Sequence, residues 1–220
     1  MYKELHKLQS YRHFKLLFVK LRNSILLIPV LVTVLSCRHN VKRKIYSSSE
    51  LEIIRQEFSL PKEKTFMLDT NYIPYLFSLD TSKYADEIQN HYQPILAAYY
   101  DKAGKLISFH INCYAGLGVK DKDDLNWNQQ NAFASFIPKT VAPIDSILPL
   151  PKHLQFLKTF DNKAIDTTGF SAFDYTIIIH WGKKWRPRDC QNLFAIVKQN
   201  ATLANDKKIN ILYVNNDNNW

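Results

Sequence analysis

The stretch Tyr175–Trp181, YTIIIHW, constrains the fold most. An unbroken β-branched and aromatic run suits a strand buried on both faces, not one face of an amphipathic element. Gly182–Arg188 reads as the turn that follows it. Asp189–Leu203 then places Leu193, Val197 and Ala201 or Leu203 at helical spacing, with Phe194 alongside. Lys208–Asn215, KINILYVN, is a second strand of the buried type. Strand, helix and strand of these lengths predict a parallel βαβ unit with a right-handed crossover.

The clearest local signal upstream is a hairpin. Pro94–Tyr100 and Lys105–Tyr114 are β-rich runs joined by Asp101-Lys102-Ala103-Gly104, with Gly104 supplying the positive φ of a tight turn. Alternation puts Leu106, Ser108, His110 and Asn112 on one face and Ile107, Phe109, Ile111 and Cys113 on the other. This predicts a core-facing Cys113, with His110 and Asn112 on an exposed or half-exposed face. Neither the hairpin nor the βαβ unit buries its apolar surface alone, so the two are expected to share one mixed sheet, with Cys113 and Ile178 both buried.

Other segments are shorter. Ser49–Phe58 carries Leu51, Ile54 and Phe58 at helical spacing, with Ser47–Ser49 as caps and Pro61 as terminator. Asp80-Thr81-Ser82 caps a helix over Lys83–Tyr92. Tyr72–Leu79 is read as an edge strand or an irregular packed segment, because Pro74 opposes a central strand. Ala115–Gln130 is a loop in which Trp127 serves either as a surface anchor or as a lid on the hairpin. Asp121, Asp123 and Asp124 lack the glycine and distant glutamate of a calcium loop. Ala132–Ile137 is expected as a short strand and Lys152–Phe160 as a helix, with a proline-broken apolar segment between them. Asp161–Phe173 is a loop.

The N-terminus has a different character. A basic stretch precedes Ile25–Leu35, an apolar run interrupted only by Thr33 and containing Pro29. Roughly 20 apolar residues are needed to span a bilayer, so this run is too short; its length is that of a signal-peptide h-region. It ends Val34-Leu35-Ser36-Cys37. This resembles a bacterial lipobox, in which a small residue precedes the Cys that is acylated and becomes the mature N-terminus. The resemblance implies residues 1–37 as a lipoprotein signal region with Cys37 as the lipid-attachment site, a linker over 38–49 and one domain over 50–220. It also implies a membrane partner through the N-terminal lipid. Arg38 follows Cys37 where inner-membrane retention in this class uses Asp, so an outer-membrane position facing the periplasm is expected.

Charge supports a domain without nucleic acid as partner. The chain carries +9 overall, but residues 1–37 hold six Lys/Arg and one Glu, so 23 basic and 19 acidic residues follow, a net of +4. Four of those basic residues, Arg38, Lys42, Arg43 and Lys44, sit just after the anchor, which leaves the folded part close to neutral. Beyond Cys37 only Cys113 and Cys190 remain, either a disulfide closing a long loop or two buried thiols. No spacing for zinc, calcium or another metal is present, no cofactor motif is evident, and no nucleophile elbow or other catalytic pattern stands out.

One local arrangement hints at chemistry. Lys183, Lys184, Arg186 and Arg188 lie together at the N-terminus of the expected helix, around Trp181 and Trp185. Helix N-termini and basic side chains both favour anions, and ligands of α/β sheets sit beyond the carboxyl ends of strands. An anionic envelope ligand, or a protein partner, is therefore the sharp reading, and a solvated loop the plain one. The segment HWGKKWRP also resembles the strand-to-helix turn of thioredoxin-like proteins through Trp185 and Pro187, without the family's Cys-x-Pro-Cys. That resemblance implies common fold ancestry over about 40 residues, with Cys190 as the one nearby thiol.

Together these features predict a single α/β domain, with α+β as the alternative. Its sheet is mixed, with a central hairpin and a C-terminal parallel βαβ unit, thioredoxin-like at best in part. The expected role is a lipid-anchored envelope protein acting as a binding or structural module; the alternative is a thioredoxin-like envelope enzyme.

Overall fold

A computed structural model describes residues 44–116 and 125–220. The lipobox with Cys37, the basic residues 38–43 and the aspartates 121–124 lie outside the described residues. The domain is one six-stranded mixed sheet with helices on both faces. The strands are β1 (Thr65–Leu68), β2 (Leu96–Asp101), β3 (Leu106–Ile111), β4 (Leu157–Lys158), β5 (Tyr175–Trp181) and β6 (Ile209–Asn215). Their order is β3-β2-β5-β6-β1-β4. β5 and β6 pair in parallel from Tyr175 opposite Ile209 to Trp181 opposite Asn215, and β1 adds to β6 in parallel. β2 joins β5 antiparallel, Ala98 opposite Ile178, so the hairpin and the βαβ unit share one sheet as the sequence predicts.

Alternation along each strand sorts the side chains into two apolar layers. Leu96, Ala98, Tyr100, Ile178, Leu212 and Val214 point to one face. There they meet Tyr72 and Leu76 of α2 (Tyr72–Ser78), Ile88 of α3 (Thr81–His91), and Leu150 and Leu154 of α5 (Leu150–Leu154). Ala97, Tyr99, Ile177, Ile179, Trp181 and Tyr213 point to the other. That layer is closed by Ile54 of α1 (Ser48–Glu57) and by Leu193, Phe194 and Val197 of α6 (Pro187–Thr202). Ile177, Ile178 and Ile179 are all fully buried, which is why the run lacks alternation; each contributes about 2 kcal/mol of apolar burial.

The caps follow the sequence. Ser47 and Glu50 form a reciprocal capping box on α1, and Asp80 accepts the Ser82 N–H at 2.9 Å to start α3. Gly104 closes the hairpin with φ +80°. The ordered domain also reaches further back than residue 50: Tyr46 N–H donates to Asn218 Oδ1 at 2.7 Å, and Asn218 Nδ2 donates to Tyr46 O at 3.0 Å.

Several expectations are corrected. Tyr72–Ser78 is a helix, because Pro74 sits in its first turn, where a backbone N–H has no helical partner to lose. Ala132–Ile137 is irregular: Gln130 and Asn131 have positive φ, and Asn200 Nδ2 donates to Phe133 O at 3.1 Å and Ser135 O at 2.8 Å in place of a neighbouring strand. The helix expected over Lys152–Phe160 is the shorter α5, after which Leu157 pairs with Leu68 as β4 and covers the edge of β1. Cys113 is exposed, not core-facing, because β3 stops at Ile111 and the chain coils into the short α4 (Asn112–Ala115). His110 is fully buried, since Phe133 and Tyr99 close over the face expected to be open. Trp127 is not a surface anchor: it is buried in the same apolar layer as Ala97 and Tyr99 of the hairpin, with its Nε1–H donating to Asp189 O at 3.0 Å.

Candidate functional site

The carboxyl ends of the parallel pair β5 and β6 carry the four basic residues singled out by sequence. β5 ends at Trp181, and Asn216 N–H donates to Trp181 O at 2.9 Å, so the chain leaving β6 lies directly against the turn leaving β5. Asp217 then reaches across. Its Oδ2 accepts the Lys183 N–H at 2.8 Å and Asn215 Nδ2–H at 2.9 Å, and its Oδ1 accepts the Lys184 N–H at 2.9 Å. A Cβ on residue 182 would stand 2.7 Å from Asp217 Oδ1, so glycine is the residue that lets the carboxylate come this close. Arg186 adopts a left-handed φ of 39°, and Pro187 opens α6 at a position where its missing N–H costs nothing.

The turn thus holds its own anions. Beside Asp217 stands Asp189, buried in the first turn of α6, where its charge suits the helix N-terminus. Asp189 Oδ1 accepts the Leu125 N–H at 2.6 Å and Oδ2 accepts Arg186 Nε–H. Lys183 Nζ pairs with Glu57 at 2.5 Å, which raises the lysine pKa above its ordinary value. Lys184 Nζ donates to Lys44 O at 2.7 Å and Asp217 O at 2.6 Å. Arg188 is exposed on the first turn of α6. The structure therefore brings Lys183, Lys184, Arg186 and Arg188 to one edge, with carboxylates of the chain interleaved among them.

The two thiols stand apart in character. Both are free. Cys190 is fully buried, its Sγ 3.4 Å from Trp185 O, and burial pushes its thiol up to about 12. A thiolate nucleophile needs the reverse: partial exposure and a depressed pKa. Cys113 Sγ lies 2.9 Å from Gln93 Oε1 at the surface.

A polar network that sequence reasoning missed lies inside the layer of α2, α3 and α5. His153 Nε2 meets His180 Nε2 at 2.9 Å, and His153 Nδ1 meets the Tyr100 hydroxyl at 2.9 Å. Tyr100 donates onward to Leu148 O at 3.2 Å. His91 Nε2 sits 3.1 Å from both oxygens of Asp145, and Tyr72 donates to His91 O at 3.0 Å while stacking on His153. Burial, with His91 nearby, pushes His180 down to about 3, and His153 also lies well below its ordinary range. His153 and His180 are therefore neutral core histidines, closed off from solvent. Their residues are scattered along the chain, so no local spacing betrays them.

The open clefts among the described residues include two broad ones. One, of about 660 Å³, is framed by the hairpin turn, α5 and Phe170 and is largely apolar. The other, of about 850 Å³, runs beside α1 and contains the Arg55–Glu52 ion pair, Lys62 and Asp161. Neither gathers an acid, base and nucleophile in hydrogen-bond reach. Among the described residues no His/Cys/Asp/Glu group is placed to hold a metal ion, and no helix is long and apolar enough to cross a membrane. Comparison with protein-family models, with curated proteins and with solved structures finds no match.

Proposed function

We propose that this is a lipid-anchored protein of the bacterial cell envelope, acylated at Cys37, whose α/β domain serves as a binding or structural module. The observation that carries the reading is the order of residues at the N-terminus: a basic stretch, the short apolar run Ile25–Leu35, then Ser36 and Cys37. Every described strand and helix lies after Cys37, so cleavage before it leaves the whole sheet and both apolar layers in the mature chain. An outer-membrane position facing the periplasm accompanies the proposal, because Arg38 follows the anchor.

A binding or structural role is favoured over catalysis by the state of the reactive groups. The thiol nearest the strand-to-helix turn is buried and hard to ionise, the described histidines are sealed in the core, and the turn amides of Lys183 and Lys184 are already taken by Asp217. A redox activity at Cys190 finds no support in this geometry.

Replacing Cys37→Ser tests the anchor. The expected result is an unprocessed precursor that takes up no labelled palmitate, against a processed, labelled wild type found in the outer-membrane fraction. A variant still cleaved at the same bond and released as a soluble protein would replace this reading with ordinary secretion.

A further inference from the structure

Of the six large apolar side chains exposed among the described residues, three lie at the edge where the chain enters the domain: Ile45 (71%), Phe77 (54%) and Trp185 (38%). Phe77 and Trp185 are the two ends of a continuous run of rings. Phe77 meets Tyr92 with centroids 5.2 Å apart, Tyr92 meets Trp220 at 4.1 Å, and Trp220 meets Trp185 at 6.3 Å. Lys184 ties this run to the entry point: its Nζ donates to Lys44 O at 2.7 Å and lies 5.0 Å from the centroid of the Tyr46 ring. A core-forming aromatic run would bury its ends; this one leaves both open.

We infer that this aromatic edge is a membrane-docking face, seated at the headgroup level of the bilayer that holds the protein's own lipid. The inference rests on the proposed acylation of Cys37. Cys37 lies seven residues before Lys44, a span of at most about 25 Å when fully extended. A domain of this size is roughly 40 Å across. The tether is therefore shorter than the domain, and it holds the Lys44 edge toward the bilayer while the far side stays out of reach. Trp and Tyr prefer the bilayer–water interface, where an apolar ring and a polar tip are both accommodated.

The basic residues of the turn play a secondary part. Lys183 pairs with Glu57, Arg186 with Asp189, and Lys44 with Glu50, so the local charge is largely offset. The rings carry the docking, and the neighbouring Lys and Arg side chains suit the polar headgroups beside them.

Acrylamide quenching of tryptophan emission tests the inference. The mature lipidated protein is compared in detergent and in mixed phosphatidylethanolamine–phosphatidylglycerol vesicles, and the Trp185 signal is taken as the difference between wild type and Trp185→Phe. Trp127 and Trp181 are buried and contribute little to quenching. The expected result is a severalfold fall in acrylamide access to Trp185 on reconstitution. Phe77→Trp in the Trp185→Phe background reports from the other end of the run and should show the same fall, which guards against a defect peculiar to one variant. Protein that floats with the vesicles yet keeps Trp185 open to acrylamide overturns the docking face alone. Protein that fails to float overturns the anchor and the docking face together.

Discussion

His153 and His180 face each other through their Nε2 atoms at 2.9 Å, both fully buried beneath the sheet. A contact this short is one N–H···N hydrogen bond, and burial keeps both rings neutral in the native state. Tyr100 and Leu148 O fix the far end of the chain of hydrogen bonds, and Tyr72, His91 and Asp145 surround it.

That relationship predicts acid lability. His180 and His110 are pushed down to about 3, and His153 also falls, by burial in each case first. The unfolded chain binds protons on these rings as pH drops below about 6.5, while the native state refuses them. Stability is therefore complete above that value and falls progressively below it, each ring approaching about 1.4 kcal/mol per pH unit. Urea unfolding midpoints measured from about pH 8 down to about pH 5 should decline through that window. A midpoint that stays flat across it would show that these rings are protonated in the native state.

The clasp of Asp217 on the turn predicts two unusually costly small substitutions. Gly182→Ala places a Cβ 2.7 Å from Asp217 Oδ1 and 2.9 Å from Asn216 Oδ1, both buried, and should destabilise by about 1–3 kcal/mol. Asp217→Ala strips the Lys183 and Lys184 N–H groups and Asn215 Nδ2 of their acceptor and should cost about 2–4 kcal/mol. Because Gly182→Ala acts by crowding that carboxylate, the double variant should be less destabilised than the two single effects added. Chemical denaturation of the four proteins measures the coupling; strict additivity would mean that the Cβ and the carboxylate do not meet.

The thiols predict a sharp contrast in labelling. In the chain after Cys37, native protein should react quickly at one cysteine, Cys113, and slowly at Cys190, whose thiol is buried and raised to about 12. Denaturation should make the two equivalent. Mass mapping of the labelled peptides decides it, and rapid native labelling of Cys190 would reopen a redox role for the turn.

Much of the fold was legible because its signals are local. The isoleucine run of YTIIIHW carries no alternation, and two-sided burial is the physical state that such a pattern serves. Gly104, Ser47 and Asp80 mark turn and caps through backbone requirements that act within four residues. The apolar run before Cys37 and the four basic residues around Trp185 are likewise plain in the order of amino acids.

The tertiary structure decided whatever depends on partners distant in sequence. Whether Pro74 sits in a strand or a first helical turn was settled by what Tyr72 and Leu76 pack against, since that position tolerates proline either way. Cys113 left the core because β3 ends two residues before it, and His110 entered because Phe133 closes over it. The His153–His180 pair and the Asp217 clasp join residues 27 and more than 30 positions apart, and Lys184 and Trp220 link Trp185 to the chain entry. Sequence spacing encodes the period of a helix or strand; it does not encode which ends of a sheet meet, and the chemistry of this domain is set at those meetings.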